Sequence, residues 1–329
     1  MDRGPVFLAG IERSGTSLMY ALLASHPNIA MTRRTNLWTF FNNQYGDLSL
    51  PGNFERCLNA MMHYKRLLVL KPDPDRLRRE FWQGEPTYAR LFTLLEEHHA
   101  EKLGKPRWGD KSLNTERYVE AIFAAYPAAR MIHMIRDPRD RYASSRTRWK
   151  KMKGKVGAGT AMWLSSVGLA GRNRQRYPDR YKIVRYETLA TQPEETLREV
   201  CAFLNEDYTP AMLTMEGAPG HRDKGGNSSY GWREPDRIST GSIGRFRQVM
   251  SSREVAFMQA YARRDMLAWG YLPEPIQFSL GEQLGFYLGD WPANLVRMVG
   301  WRARDAIQNR RGRTLPPYTI VAEPEGTRA

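Results

Sequence analysis

Apolar residues gather in short runs separated by stretches of helical spacing. Residues 6–10 (VFLAG) form a continuous apolar run, the pattern of a strand buried on both faces. Residues 16–25 then repeat at helical spacing, with Leu18, Met19, Leu22 and Leu23 on one face. Residues 129–135 predict a second central strand, and 137–151 a helix whose first turn tolerates Pro138. A third strand is expected at 181–186, and residues 107–111 read as a strand entering a loop. Further helices are expected at 76–103, 115–125, 163–176, 194–204 and 252–267. Strands alternating with helices imply an α/β fold, a parallel sheet flanked by helices. Residues 28–60 read as irregular, 150–160 as a basic glycine-rich loop, and 216–242 as a long polar stretch of the kind that often carries function. The pattern weakens after Pro273. Residues 1–273 are therefore expected to form one domain, and 274–329 a C-terminal extension packed on it, with a tail from 309.

Composition changes this picture mainly through charge. The 329 residues are 41% hydrophobic and carry a net charge of +15. Lysine contributes 11 of the 50 basic residues and arginine the remaining 39. Such an excess favours anionic partners. The sequence shows no zinc-finger spacing and no aromatic RNA-binding motif, so nucleic acid is not the expected partner. Cys57 and Cys201 stand far apart, which argues against a disulfide framework or a cysteine zinc site. No basic segment and long apolar run open the sequence, and no run of 18 apolar residues occurs. A cytoplasmic location without a membrane anchor is the expectation.

Two segments have the form of anion sites. In the first, a strand ends in Gly10-Ile11-Glu12-Arg13-Ser14-Gly15-Thr16-Ser17 and a helix begins. Backbone N–H groups converge at such a corner and the helix dipole adds positive potential. Gly15 permits close approach, Thr16 and Ser17 add hydroxyls, and Arg13 supplies charge. The Lys-Ser/Thr ending that serves Mg²⁺ and a γ-phosphate is missing, so a single phosphate without metal is favoured over a nucleoside triphosphate. In the second, Arg136 closes the strand at 129–135 and Ser144 follows two helical turns later. Both can reach one anion, and Arg148 lies a further turn along.

Taken together, the two loops resemble the 5′- and 3′-phosphate sites of sulfotransferases that use 3′-phosphoadenosine 5′-phosphosulfate (PAPS), in the group that includes the tyrosylprotein sulfotransferases and many bacterial enzymes. Trp108-Gly109-Asp110-Lys111-Ser112 resembles the family's G-D-K-T segment. Residues 184–194 resemble its R-Y-E-D-L…P-E segment, residues 239–247 its S-I-G-R-W-R segment, and Gly270-Tyr271 the usual domain end. The resemblance implies a P-loop-type fold, PAPS as donor and PAP as product, with no metal. It implies that Arg13, Ser14, Gly15, Thr16 and Ser17 hold the 5′-phosphosulfate, and that Arg136 and Ser144 hold the 3′-phosphate. Arg148 and Tyr186 would fix the nucleotide, and Ser239, Gly244 and Arg245 would close over it. Lys111, with Arg13, would stabilise the transferring group. The acceptor would be a small molecule, glycan or lipid. A P-loop kinase or NTPase and a PAP-binding protein without catalysis are the alternatives.

The family's general base is not in its usual places. Arg34 stands where the tyrosylprotein enzymes carry a glutamate, and Leu113 where the cytosolic enzymes carry a histidine. Arg33 and Arg34 suit an anionic acceptor or a solvated surface. Glu12 is the nearest carboxylate in sequence and the candidate base, paired with a neighbouring arginine in the alternative reading; His63 and Glu85 are further options. His26 reads as a helix-end residue, and His98 and His99 as solvated. Trp38, Phe40, Phe41 and Tyr45 suit an acceptor pocket or the core. The aromatic stretch 284–301, with Arg297 and Arg302, is expected to pack back on the domain, with peripheral contact to a membrane or to a second subunit as the alternatives.

Overall fold

Alternation within each strand decides the layering. In a computed structural model that describes residues 3–223, 238–311 and 314–321, Val6–Ala9 forms β1 with all four side chains buried. Phe7 and Ala9 join one core, and Val6 and Leu8 the core on the opposite face. Four more strands extend the sheet: β2 (Ile29–Arg33), β3 (Arg107–Lys111), β4 (Arg130–Ile135) and β5 (Tyr181–Arg185). All pairings are parallel and the order is β2-β3-β1-β4-β5. A parallel sheet needs both faces covered. The helices Pro51–Met62 and Tyr88–Lys102 bury Phe54, Leu58, Leu91 and Phe92 against one face. The helices Thr16–Ala24 and Pro193–Leu204 bury Leu18, Leu22, Leu197 and Val200 against the other. This is the expected α/β architecture.

Several local expectations differ. β2 and all but the last two residues of the helix Pro51–Met62 fall inside residues 28–60, which read as irregular. Ile29-Ala30-Met31 is too short a run to announce a strand, and Gly52, Asn53 and Asn59 mask a helix whose Phe54, Cys57, Leu58 and Met61 are buried. The glycine-rich segment near 155 is helical from Val156 onward, within Val156–Arg176. Its glycines serve close packing: a Cβ on Gly157 would lie 2.0 Å from the Asn294 carbonyl oxygen, and one on Gly159 2.7 Å from the Tyr142 ring. Asn294 belongs to Trp291–Arg311, a helix the sequence pattern did not indicate. Residues 314–321 fold back, with Ile320 bridging to Tyr64. His98 is buried against Glu80 at 2.7 Å rather than solvated. Part of the polar stretch 216–242 lies outside the described residues, and so does 322–329 of the expected tail.

Candidate functional site

The chain leaves β1 for β2, on the β3 side of the sheet, and leaves β4 for β5, on the other, so the strand order reverses between β1 and β4. In open parallel sheets the crevice at the carboxyl ends of such strands is where ligands bind. The turn after β1 is tight: φ is 126° at Gly10, 68° at Arg13 and 93° at Gly15. Gly15 opens the helix Thr16–Ala24, which no side chain caps. The Leu18 N–H donates to the Gly15 carbonyl at 3.0 Å, while the Thr16 and Ser17 N–H groups carry no hydrogen bond among the described residues, the form of an anion site. A Cβ on Gly15 would stand 2.5 Å from the Tyr186 ring. Only glycine lets the loop lie so close to that ring in this backbone conformation.

The two candidate anion segments meet. Arg13 Nε donates to Ser144 Oγ at 2.7 Å, joining the first loop to the helix Pro138–Arg148. Arg136 donates to the Arg13 carbonyl at 3.2 Å and to the Ser242 carbonyl at 2.7 Å. Its guanidinium lies 4.3 Å from the centre of the Tyr186 ring, and the Tyr186 hydroxyl is 2.6 Å from Ser242 Oγ. Arg136 Nε is buried without a hydrogen-bond partner among the described residues. A buried donor left unpaired costs about 1–3 kcal/mol, which an incoming acceptor atom would recover. Asp140 holds the opposite wall, accepting from the N–H groups of Gly244 at 2.7 Å and Phe246 at 2.9 Å. Beneath the loop, fully buried Arg141 donates to the Glu12 carbonyl at 3.3 Å, and its guanidinium is 3.9 Å from the Glu12 carboxylate.

Beside this pocket the strand ends carry a basin of positive charge. Burial lowers the pKa of Arg34, and the charges of Arg66, Arg33, Arg148 and Arg13 lower it further. The Arg34 N–H donates to the Lys111 carbonyl at 2.7 Å. Lys111 ends β3 and is buried, and no hydrogen bond or ion pair to its ammonium is present among the described residues. Burial first, then the charge of Arg34, brings its pKa to about 8, with Asp110 opposing and Arg33 adding to the fall. Asp110 is itself committed to hydroxyls, accepting from Thr35 at 2.6 Å, Thr32 at 3.1 Å and Ser112 at 3.2 Å. Cations crowded this closely favour a bound anion.

His221 faces the same basin. It sits on the short helix Pro219–Arg222, which the Gly217 N–H ties to Ser25 Oγ at 3.0 Å, at the end of the helix Thr16–Ala24. Its Nε2 is enclosed without a hydrogen-bond partner among the described residues. Burial, then the charges of Arg33 and Lys111, push its pKa to about 4, so the imidazole is neutral.

The structure thus brings together Arg13, Gly15, Arg136, Ser144 and Tyr186, and sets Lys111 beside Arg33 and Arg34. Ser14 and Thr16 are buried in the loop, while Ser17 and Arg148 are exposed. Ser239 Oγ accepts from the Gly241 N–H at 3.1 Å, and Gly244 and Arg245 begin the turn held by Asp140. His26 bonds the Asp207 carbonyl at 2.9 Å. His63 bonds the Asn59 carbonyl of its own helix at 2.8 Å, and Glu85 is exposed. Trp38 and Phe41 are core, with Phe40 and Tyr45 packed against it. His221 was not legible: it is a lone histidine in a polar stretch, and nothing in its spacing ties it to Lys111. Ser242 belonged to a recognised segment, but its contacts with Arg136 and Tyr186 depend on the tertiary fold.

The sequence pattern of the Sulfotransferase family matches residues 5–210. A protein-tyrosine sulfotransferase of Drosophila melanogaster is 24% identical over 221 residues, which cover 64% of this chain and 40% of that protein. The chain thus spans well under half the length of that relative. Among solved structures, the sulfotransferase domain of the Synechococcus PCC 7002 olefin synthase superposes with a TM-score of 0.50 at 20% identity, covering 78% of this chain and 94% of that one. The sulfotransferase domain from the curacin biosynthetic pathway gives a TM-score of 0.49 at 16% identity, covering 87% and 97%. The fold is shared with the first of these, and the pattern match extends over most of the chain: the protein belongs to the sulfotransferase family.

Proposed function

We propose that this chain transfers a sulfuryl group from PAPS to a hydroxyl or amine of an acceptor, a small molecule, glycan or lipid. The observation that carries this reading is the junction of the two anion segments, where Arg13 meets Ser144 and the buried Arg136 Nε lacks a partner. The residues fit the donor. The 13–17 loop and Arg13 suit the 5′-phosphosulfate, and Arg136 with Ser144 suits the 3′-phosphate. Tyr186 and Arg148 border the nucleotide, with Ser239, Gly244 and Arg245 on the far wall. Family membership supports the same reading. The loop has no lysine, so a γ-phosphate would lack its usual partner there.

In the proposed step the acceptor oxygen forms a bond to sulfur as the bond from sulfur to the 5′-phosphate oxygen breaks. That oxygen keeps the electron pair and leaves with PAP. Arg13 and Lys111 are the fixed positive groups that stabilise the charge developing on the departing phosphate. The acceptor proton needs a base. Glu12 is a poor choice, because its carboxylate balances the fully buried Arg141 guanidinium. His221 Nε2 is the better one: neutral, unpartnered and beside Lys111. An anionic donor offsets the field of Arg33 and Lys111, which raises the imidazole's affinity for a proton when the donor is in place.

The test is sulfate transfer from labelled PAPS across a panel of hydroxyl and amine acceptors, with PAP binding measured in parallel. Transfer to any acceptor supports the reading, and PAP binding without any transfer would leave a binding protein. Arg136→Ala should weaken PAP binding by about 10- to 150-fold, the loss of charge-assisted hydrogen bonds to a phosphate. Adenosine 5′-phosphosulfate, which lacks the 3′-phosphate, should be nearly indifferent to the change. Because Arg136 also braces the Arg13 and Ser242 carbonyls, equal losses for both ligands would mean that it only holds the frame.

A further inference from the structure

The helical segment from Leu280 to Arg311 has two unlike faces. Phe286, Asn294 and Met298 are buried toward the domain, and Asn294 accepts the Gly157 N–H at 3.2 Å. On the other side, Leu280, Leu284, Leu288, Val296, Val299 and Ile307 are all more than half exposed, Leu288 by 77% and Val296 by 71%. Singly exposed apolar side chains are ordinary, but a strip running along successive turns of helix marks an interaction surface.

Charge identifies the occupant. Among the described residues, the carboxylates of this segment are all committed within the molecule. Glu282 caps Ser279, Asp290 pairs with Arg253 at 3.1 Å, and Asp305 pairs with Arg117 at 3.0 Å. Arg304 and Arg310 lie three positions before and after Ile307, the spacing of helix neighbours, and both are exposed without an ion pair among the described residues. Arg297 adjoins Val296 and bonds only the Asn294 side-chain oxygen. An apolar strip edged by unpaired arginines is complementary to an anionic phospholipid surface, which takes the apolar side chains into its headgroup boundary and the guanidiniums against its phosphates. A second copy meeting this face about a two-fold axis would set arginines against arginines, with no carboxylate on either side to pair with them. No helix among the described residues is long and apolar enough to cross a membrane, so the contact would be peripheral.

We propose that the exposed face of residues 280–311 docks the protein on an anionic lipid surface. The test is co-sedimentation of the full chain with vesicles of phosphatidylcholine alone and of phosphatidylcholine mixed equally with phosphatidylglycerol. Binding to the mixed vesicles, its absence with phosphatidylcholine and its release by salt are expected. Leu284→Glu combined with Val296→Glu should weaken vesicle binding by about tenfold or more, as should Arg304→Glu with Arg310→Glu. Melting temperature and PAP affinity should stay unchanged, because all four side chains are exposed and none is among the residues assigned to the nucleotide. Wild-type protein that ignores both vesicle types, or glutamate variants that bind as well as wild type, would overturn the proposal. A wild-type dimer that the glutamate variants split, with no vesicle binding, would overturn it in favour of self-association. PAP affinity is read separately, so failure here leaves the proposed transfer reaction untouched.

Discussion

His221→Gln is expected to lower turnover with PAPS by about 100- to 10,000-fold, the usual worth of a positioned general base, while PAP affinity changes little. Its Nε2 has no hydrogen-bond partner among the described residues, so the substitution breaks no bond described for that nitrogen. The groups that act on the imidazole are known. Arg33 approaches from the end of β2 and Lys111 from the end of β3, and both favour the neutral form. Tyr20, on the helix Thr16–Ala24, lies under the Arg33 guanidinium at 5.5 Å; burial raises its phenol, so it adds no charge near neutral pH. Arg222 follows in sequence and is 3.8 Å from Glu216. With its pKa at about 4 in the free protein, His221 is ready to accept a proton across the whole neutral range. If His221 serves only to pack the 219–222 turn, the variant should melt lower and keep its turnover. That result would return the search for a base to Glu12.

Lys111→Ala is expected to cost about 100- to 1000-fold in turnover, the loss of one fixed donor to a developing charge. PAP affinity should stay within a few-fold, because Lys111 pairs with Leu8 just before the 10–17 loop and, in the proposed reaction, its charge counts most as the sulfuryl group moves. The pH dependence follows from its environment. Burial and the neighbouring arginines disfavour the ammonium, so its pKa falls to about 8 and the free protein begins to lose this charge just above neutrality. The kcat/KM for PAPS reports the free protein and should decline as pH rises through that value. Lys111→Arg keeps its charge at alkaline pH and should move the decline upward, even if its turnover is lower. Equal losses of PAP affinity and turnover in Lys111→Ala, or an unshifted alkaline limb in Lys111→Arg, would make Lys111 merely a nucleotide ligand.

Much of the fold was legible because continuous apolar strands such as 6–10 and 129–135 are hard to confuse with anything else at that length. The pairing of the two anion loops was also legible, since each is a strand end followed by a helix start, and a parallel sheet brings its strand ends to one edge. Four kinds of information were not. Short apolar runs such as Ile29-Ala30-Met31 gain their meaning from the strand they pair with, here β3. Gly157 and Gly159 read as loop residues, yet they are small because Asn294 and Tyr142 press against them. The environment of His221 depends on charges from β2 and β3, brought near by tertiary folding. The helix Trp291–Arg311 was hidden by its two faces: apolar residues both packed and exposed leave no single stripe to read.

In the proposed function the crevice at the ends of β1 and β4 binds an adenosine with phosphates at both its 3′- and 5′-positions. Titration calorimetry with PAP and with ATP, each with and without Mg²⁺, tests it most directly. PAP should bind with one site per chain, indifferent to Mg²⁺, and at least about tenfold tighter than ATP, the worth of roughly one well-placed charged contact. ATP binding that tightens with Mg²⁺ and exceeds that of PAP would contradict the account and point to a nucleoside triphosphate instead.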